Sequence, residues 1–285
     1  LKEGLTCRIV LKDKSIIDIN YLTEPIEDDL ARRDFTINAI AWSADRGLLD
    51  PFNGLRDINR KLIRVINPRN FKADPLRILR AYRFMAQLGY EITPGTRDEL
   101  LKYTNGLTST APERITDELI KILNEPNAGK YLQLSVNDNV LSHILNIEQD
   151  TLLRNIRLIK RFDRSSNTLS VEADYLQTEL SQTITRSGII RLALLLIQNE
   201  TPAHIICKSL KLSRANTAAL KGILYAFHLS ESTRIDQNKL YRSFCMSRDN
   251  SIEAAVLIAL SKGREILPLV VKAREFINIR RKQLL

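Results

Sequence analysis

Two runs near the start of the chain alternate apolar and polar residues with a period of two. Residues 6–12 (TCRIVLK) and 15–22 (SIIDINYL), joined through Asp13-Lys14, predict the strands of a hairpin. Alternation puts Ile17, Ile19 and Tyr21 on one face and Ile16, Asp18 and Asn20 on the other. Residues 27–42 (EDDLARRDFTINAIAW) predict a helix with its acids in the first turn, where the helix dipole favours them. Within that stretch Phe35, Ile37 and Ile40 look like one buried face. GLLD (47–50) and KLIRVI (61–66) predict further strands, with Pro51 and Gly54 turning the chain between them. After Pro68 the strand signals stop. Helical periodicity predicts helices over 74–89, 94–104 and 112–124 and shorter ones beyond, separated by Asn, Gly, Pro and Ser clusters. SSNTLSVEAD (165–174) is the candidate linker, and no fixed-period repeat is present. The class is α+β: a small α/β piece, then a long all-α extension.

Composition narrows the function. The chain has 285 residues, 44% of them hydrophobic, so it can bury a core and is expected to divide into two or three small domains. The apolar run GIIRLALLLIQ (188–198) carries Arg191 and is too short to span a bilayer, so it predicts a buried helix and no membrane partner. Cys7, Cys207 and Cys245 lie far apart with no C-x-x-C, which excludes a sequence-evident zinc site or disulfide framework. The opening residues resemble no signal peptide, and a cytoplasmic location is expected. His143, His204 and His228 stand isolated in helical segments and read as packing or surface residues.

A net charge of +10 points to a polyanion. The distribution strengthens this. Eight basic residues (Arg60, Lys61, Arg64, Arg69, Lys72, Arg77, Arg80, Arg83) face one acid, Asp74, and Arg280, Arg281 and Lys282 repeat the bias at the end. Concentrated charge of this kind is what phosphate binding requires.

Two stretches carry candidate chemistry. ARRDFTINAI (31–40) packs Arg32, Arg33, Asp34, Thr36 and Asn38 against apolar residues, more hydrogen-bonding capacity than a solvated helix needs. ADPLRILRAYRF (73–84) reads as a helix capped by Asp74 with Pro75 at its first position. On that helix Arg77, Arg80 and Arg83 form a basic stripe opposite Ile78, Ala81, Tyr82, Met85 and Leu88. A carboxylate only accepts hydrogen bonds and a guanidinium only donates them. Side by side, they match a base edge that pairs an exocyclic amino group with a ring acceptor. Cytosine and adenine have that edge, whereas uracil and guanine would face like against like. Arg80 and Arg83 would then hold phosphates. An ordinary capped amphipathic helix explains the same residues without a ligand.

Four ordered motifs, RRDFTINA, D-P-x-x-G-L-R-D (Asp50 to Asp57), DPLRILRAYRF and PERITDELIKIL (112–123), resemble the class II tRNA nucleotidyltransferases and the related bacterial poly(A) polymerases. The resemblance covers residues 27–123 and implies an α/β nucleotidyltransferase head (1–65), a helical neck (66–135) and a helical body and tail that binds RNA (136–285). It implies tRNA as partner, CTP and ATP as substrates, and addition of C and A residues to the tRNA 3′ end. CC-only, A-only and poly(A) addition stay open, as does an RNA-binding protein without catalysis. It also implies roles. Arg32 and Arg33 would meet the triphosphate and ribose, oriented by Asp34 and Asn38. Asp74 and Arg77 would read the base, and Arg80 and Arg83 would complete the pocket. Asp50, Gly54 and Asp57 would form a joint between head and neck, and Glu113 and Arg114 would brace the templating helix. On charge alone, Arg280, Arg281 and Lys282 are expected to contact RNA.

Two departures from the family pattern matter. Ala73 stands where members usually carry Glu, which bears on switching between C and A. No D-x-D strand for two Mg²⁺ ions occurs, and two metals must clamp the attacking hydroxyl and the leaving pyrophosphate. Asp18 falls where the family's third metal carboxylate would lie. The expectation is therefore an N-terminally truncated copy of the enzyme, inactive as it stands.

Overall fold

A computed structural model describes residues 6–13, 15–166, 173–181, 183–197, 203–230 and 236–283. Strands β1 (Thr6–Val10) and β2 (Ile16–Asn20) form the antiparallel hairpin that the alternation predicts, with Cys7 opposite Ile19, Arg8 opposite Asp18 and Ile9 opposite Ile17. Ile9, Val10, Ile16, Ile17 and Ile19 all remain exposed, so neither face of the hairpin is covered among the described residues.

The helix predicted over 27–42 is corrected. Helix α1 covers Ile26–Ala31 only. Phe35 is then extended (φ −126°, ψ 155°) and bridges to Val65, Thr36–Asn38 make a 3-10 turn, and β3 (Ala41–Ser43) pairs antiparallel with β4 (Gly47–Leu49). Tertiary partners outweigh local propensity here. The Phe35 ring is fully buried and meets Phe71 at 6.4 Å and Phe84 edge-on at 5.8 Å, positions that a continuous helix would not reach.

Helix α2 (Gly54–Arg60) leads to β5 (Leu62–Ile63), followed by α3 (Arg69–Ala73) and α4 (Leu76–Leu88). A short strand after Pro68 was not expected: β6 (Glu91–Ile92) runs parallel to β5. Helices α5 (Pro94–Lys102) and α6 (Pro112–Asn124) lie within two residues of the predicted bounds. The body continues as α7 (Ala128–Asn137), α8 (Val140–Leu145), α9 (Gln149–Ser166), α10 (Ala173–Gln177), α11 (Arg186–Leu196), α12 (Ala203–Ser209), α13 (Arg214–Leu229), α14 (Gln237–Ser247), α15 (Ser251–Ser261) and α16 (Ile266–Gln283). Most of the linker expected at 165–174 lies outside the described residues. The α+β class holds, and among the described residues the strands lie within the first 92.

One hydrophobic cluster runs from Phe35 and Ile63 through α4, α6, α9, α11 and α15 to Ile277. Helix α11 is buried on every side, as GIIRLALLLIQ predicts, and carries a cation into the core. Arg191 donates Nε to Asp163 Oδ1 at 2.8 Å and Nη1 to the Leu123 carbonyl at 2.7 Å, while Asp163 Oδ2 accepts the Gly129 N–H at 2.9 Å. That group ties α6, α7, α9 and α11 together. A second buried acid, Glu253 on α15, accepts from Arg186 and Tyr175. Among the described residues no helix is long and apolar enough to cross a membrane.

Removing one partner of a buried pair leaves an uncompensated charge, which costs about 3–5 kcal/mol. We therefore expect Arg191→Met to lose stability on that scale in urea unfolding, and Arg191→Met/Asp163→Leu to recover only the part due to the unpaired charge, because the Gly129 N–H and the Leu123 carbonyl stay without partners. A single variant as stable as the wild type would show that the pair does not hold the body together.

Candidate functional site

The RRDFT turn is built onto α4 by one carboxylate. Asp34 is almost fully buried; its Oδ1 accepts the Phe35 N–H at 3.0 Å and the Asn38 amide at 2.8 Å, and its Oδ2 accepts Arg80 Nε at 2.7 Å. Burial by itself would raise the Asp34 pKa. The Arg80 guanidinium, with the Asn38 amide and the Phe35 N–H, outweighs it and holds the carboxyl below its ordinary range. Backbone groups of the same turn are held as well. The Asn70 amide donates to the Ala31 and Arg33 carbonyls at 3.1 and 2.7 Å, and Arg77 Nη1 reaches the Arg33 carbonyl at 3.3 Å.

The D-P-x-x-G-L-R-D stretch secures the other side of the turn. Asp50 accepts the Gly54 and Leu55 N–H groups at 2.6 and 3.0 Å and so caps α2. Asp57, buried, accepts the Thr36 hydroxyl at 2.7 Å and Arg64 Nε at 3.0 Å. Gly54 is required by close approach, because a Cβ there would sit 2.2 Å from the Thr36 carbonyl oxygen. Asp50, Gly54 and Asp57 thus form a hydrogen-bonded clamp at the position expected for a joint.

The other predicted residues divide. Asp74 does not cap α4 as a helix N-cap; it closes α3, Pro75 takes the cap position, and the carboxylate accepts the Leu76 N–H at 3.3 Å. Its main partner is Arg114, through Nη1 at 3.2 Å and Nη2 at 2.8 Å, so Arg114 braces the head of the helix while Glu113 stands exposed. Arg77 is half-buried, and its remaining guanidinium donors have no partner among the described residues. Arg83 is corrected as a member of the exposed stripe. It is 8% exposed, donates to Glu118 and Gln87, and lies over the Phe84 ring at 3.7 Å. Leu88, expected on the packed arc, is exposed. Arg32 pairs with Glu24, and Arg33 with Asp29 at 2.6 Å; both guanidinium groups remain more than half exposed, where an anion can compete for them. Arg281 and Lys282 are exposed in the last turn of α16, and Arg280 is half-buried.

Two partners were missed. Glu118 collects Arg83 and Lys121 and lies 3.9 Å from Arg80, although it is 4% exposed. Its place on the Ile115–Leu119–Ile122 face of PERITDELIKIL was the available signal. Asn70 carried none, because its partners lie 37 and 39 residues away.

Of the metal ligands, only Asp18 was expected within this chain, and it is engaged in the hairpin. Both Asp18 carboxylate oxygens are taken by Arg8, at 2.7 and 2.9 Å, which lowers the Asp18 pKa. No group of three or more His, Cys, Asp or Glu side chains placed to hold a metal exists among the described residues.

Against this geometry, known proteins align as follows. The family model described as the poly A polymerase head domain matches residues 6–64, and the one described as the probable RNA and SrmB-binding site of polymerase A matches 89–150. The CC-adding tRNA nucleotidyltransferase of Geobacter sulfurreducens is 33% identical over 254 residues, covering 85% of this chain and 58% of that protein. The A-adding tRNA nucleotidyltransferase of Deinococcus radiodurans is 40% identical over 118 residues, 40% of this chain and 27% of that one. The chain thus spans less than two thirds of the length of the curated relatives it matches. The crystal structure of the Bacillus stearothermophilus CCA-adding enzyme in complex with CTP superposes with a TM-score of 0.69, at 24% identity, over 97% of this chain and 67% of that one. That likeness establishes the fold.

Two substitutions test the local construction. Asp34→Asn keeps the shape and loses a charge-assisted bond, so it should cost about 1.5–3 kcal/mol near neutral pH. A folded pKa below the unfolded one gives stability that is present above the unfolded value and lost as pH falls through the folded value. The gap between wild type and Asp34→Asn should therefore be constant above about pH 5 and shrink below about pH 4 in denaturant titrations; a gap independent of pH would exclude the carboxylate as its source. Gly54→Ala should lose at least about 1–3 kcal/mol by overpacking against Thr36. An unchanged melting temperature would show that α2 is free to move away.

Proposed function

The chain belongs to the family of class II tRNA nucleotidyltransferases, and from that premise we propose that the protein adds C and A residues from CTP and ATP to the 3′ end of tRNA without a nucleic-acid template. The observation that carries the proposal is the docking of the RRDFT turn on α4. Arg77 bonds the Arg33 carbonyl and Arg80 bonds Asp34, so the cations suited to a triphosphate and the residues suited to a base edge share one surface.

In this reading Asp74 accepts the exocyclic amino group of cytosine or adenine. A carboxylate has about four lone-pair sites, and Arg114 and Leu76 use three of those on Asp74, which leaves one for the base. Arg114 fixes the carboxylate plane. Arg77 offers its unused donors to the ring nitrogen or carbonyl. Arg32 and Arg33 exchange Glu24 and Asp29 for phosphate oxygens. Arg80 holds Asp34, Asn38 completes that network, and Arg83 supports it from the core. Family chemistry generally uses Mg²⁺; the described residues offer Asp18 alone, committed to Arg8, and do not make up the two-metal site.

The proposed division is head 1–65, neck 66–135, and body and tail 136–285, with the last contacting tRNA in the cytoplasm. Addition of C alone is the second reading, favoured by the match over 85% of the chain to a CC-adding enzyme. Incorporation of labelled CMP against AMP by the full-length protein decides between the two.

Asp74→Ala in the full-length protein tests the base-reading role. CTP and ATP binding should weaken by about 1–3 kcal/mol each, the cost of one unsatisfied buried partner, while UTP and GTP are discriminated against less. A purely structural Asp74 gives another result: about 1 kcal/mol of lost stability with CTP:UTP selectivity unchanged.

A further inference from the structure

The basic end of α16 forms one wall of a groove that the site on α4 does not use. Between α14 and α16 lies a volume of about 1000 Å³, at the upper end of the range of about 300–1,000 Å³ for sites that enclose small ligands. Its floor is aromatic. Tyr241 is 60% exposed, and its ring meets Phe276 edge to face at 5.4 Å, with Phe276 resting on Phe244 at 5.8 Å. Its rim is cationic, with Arg248, Lys272 and Arg280 against Glu275 in the lining and Asp249 beside Arg280.

Two details of the rim are unusual. Nη1 of Arg280 is shielded from water and makes no hydrogen bond; its one partner is a long ion pair at 3.6 Å with the Asp249 carboxylate, which is itself exposed. A buried N–H without an acceptor is costly, and a phosphate oxygen replacing Asp249 would supply one. Arg248, which closes α14, has φ +53° and ψ −118°, a conformation that side-chain-bearing residues rarely adopt. Such outliers persist where surrounding structure holds them and concentrate at ligand sites.

A fixed ring with an open flank, beside three cations and a donor in want of an acceptor, is the complement of a nucleotide, which presents a π-face and a phosphate. We propose that this groove takes one unstacked nucleotide of the RNA substrate, its base on Tyr241 and its adjoining phosphates on Arg280, Arg248 and Lys272. The inference rests on RNA being the substrate. The exposed Arg281 and Lys282 continue the same charge along α16. An apolar protein segment would fit the floor but would desolvate three cations against two acids, a net positive rim that favours RNA as the occupant.

Cys245 lines the groove and reports on its occupancy; Cys207 is buried, and Cys7→Ser removes the other exposed thiol. In full-length protein carrying Cys7→Ser, saturating tRNA should slow maleimide labelling of Cys245 about ten-fold, the protection expected from a site about 90% filled. Stacking on an aromatic residue is sequence-tolerant, and its loss is expected to raise the tRNA Kd about ten-fold or more in Tyr241→Ala, with Tyr241→Phe close to wild type. Arg280→Ala should lower the salt dependence by about one ion. Arg248→Gly should raise the melting temperature by relieving the backbone and still weaken tRNA binding, a combination that a structural role does not give. If the wild-type protein binds tRNA but Cys245 stays reactive and Tyr241→Ala binds normally, the groove proposal is overturned and the functional reading stands. If the wild type neither binds nor extends tRNA, both fall. Protection of Cys245 by a protein partner and not by tRNA would also overturn it.

Discussion

The structure around the candidate site depends on how one buried carboxylate is satisfied. Asp34 is paired to Arg80 on α4, to Asn38 within its own turn and to the Phe35 N–H. Burial of an ionised carboxylate is costly unless its acceptor sites are filled by donors and an opposing charge. All three donors are found here, and one of them comes from another segment. The network therefore orders the turn and docks it in the same step. Phe35, carried into the core beside Phe71 and Phe84, supplies the apolar half of that joint.

The same arrangement explains the layering of the cations. Arg83 and Arg80 serve the fold, through Glu118 and Asp34. Arg77 serves it in part, with one donor on the Arg33 carbonyl. Arg32 and Arg33 are held only by exposed or half-buried acids of the α1 region, pairings that water screens and that contribute little. A gradient from committed to displaceable cations thus runs outward from the core, and a phosphate would meet the displaceable ones. In the body, the Arg191–Asp163 group does comparable work without an outlet to solvent, which marks it as structural.

How far the sequence reached can be read from particular residues. The hairpin, the Pro75 start of α4, the Pro112 start of α6 and the buried α11 were all legible, because each rests on periodicity or on a terminal residue with a local physical cause. The helix expected over 27–42 failed because Asp34 and Phe35 answer to partners outside the local turn. The exposure of Arg83 failed for a related reason. It lies at the edge of the apolar arc, and only the packing of α6 with Glu118 decides which side of that edge is dry. Asp74 shows the limit most clearly: its helix-start signal was real, yet its strongest partner, Arg114, lies 40 residues away.

The sequence by itself determined the α+β class, the opening hairpin, the helices that begin at Pro94 and Pro112, the four motifs and the concentration of positive charge. These follow from short-range periodicity and from composition, which one chain displays in full. Only the tertiary structure decided which arginines are spent on buried acids and which remain to meet a ligand. It also decided that the RRDFT stretch turns and does not continue as a helix, and that α14 and α16 enclose an aromatic groove under a cationic rim. The physical reason is common to all three. The free energy of a charged or aromatic side chain depends on what lies beside it in space, and those neighbours are dozens of residues distant along the chain.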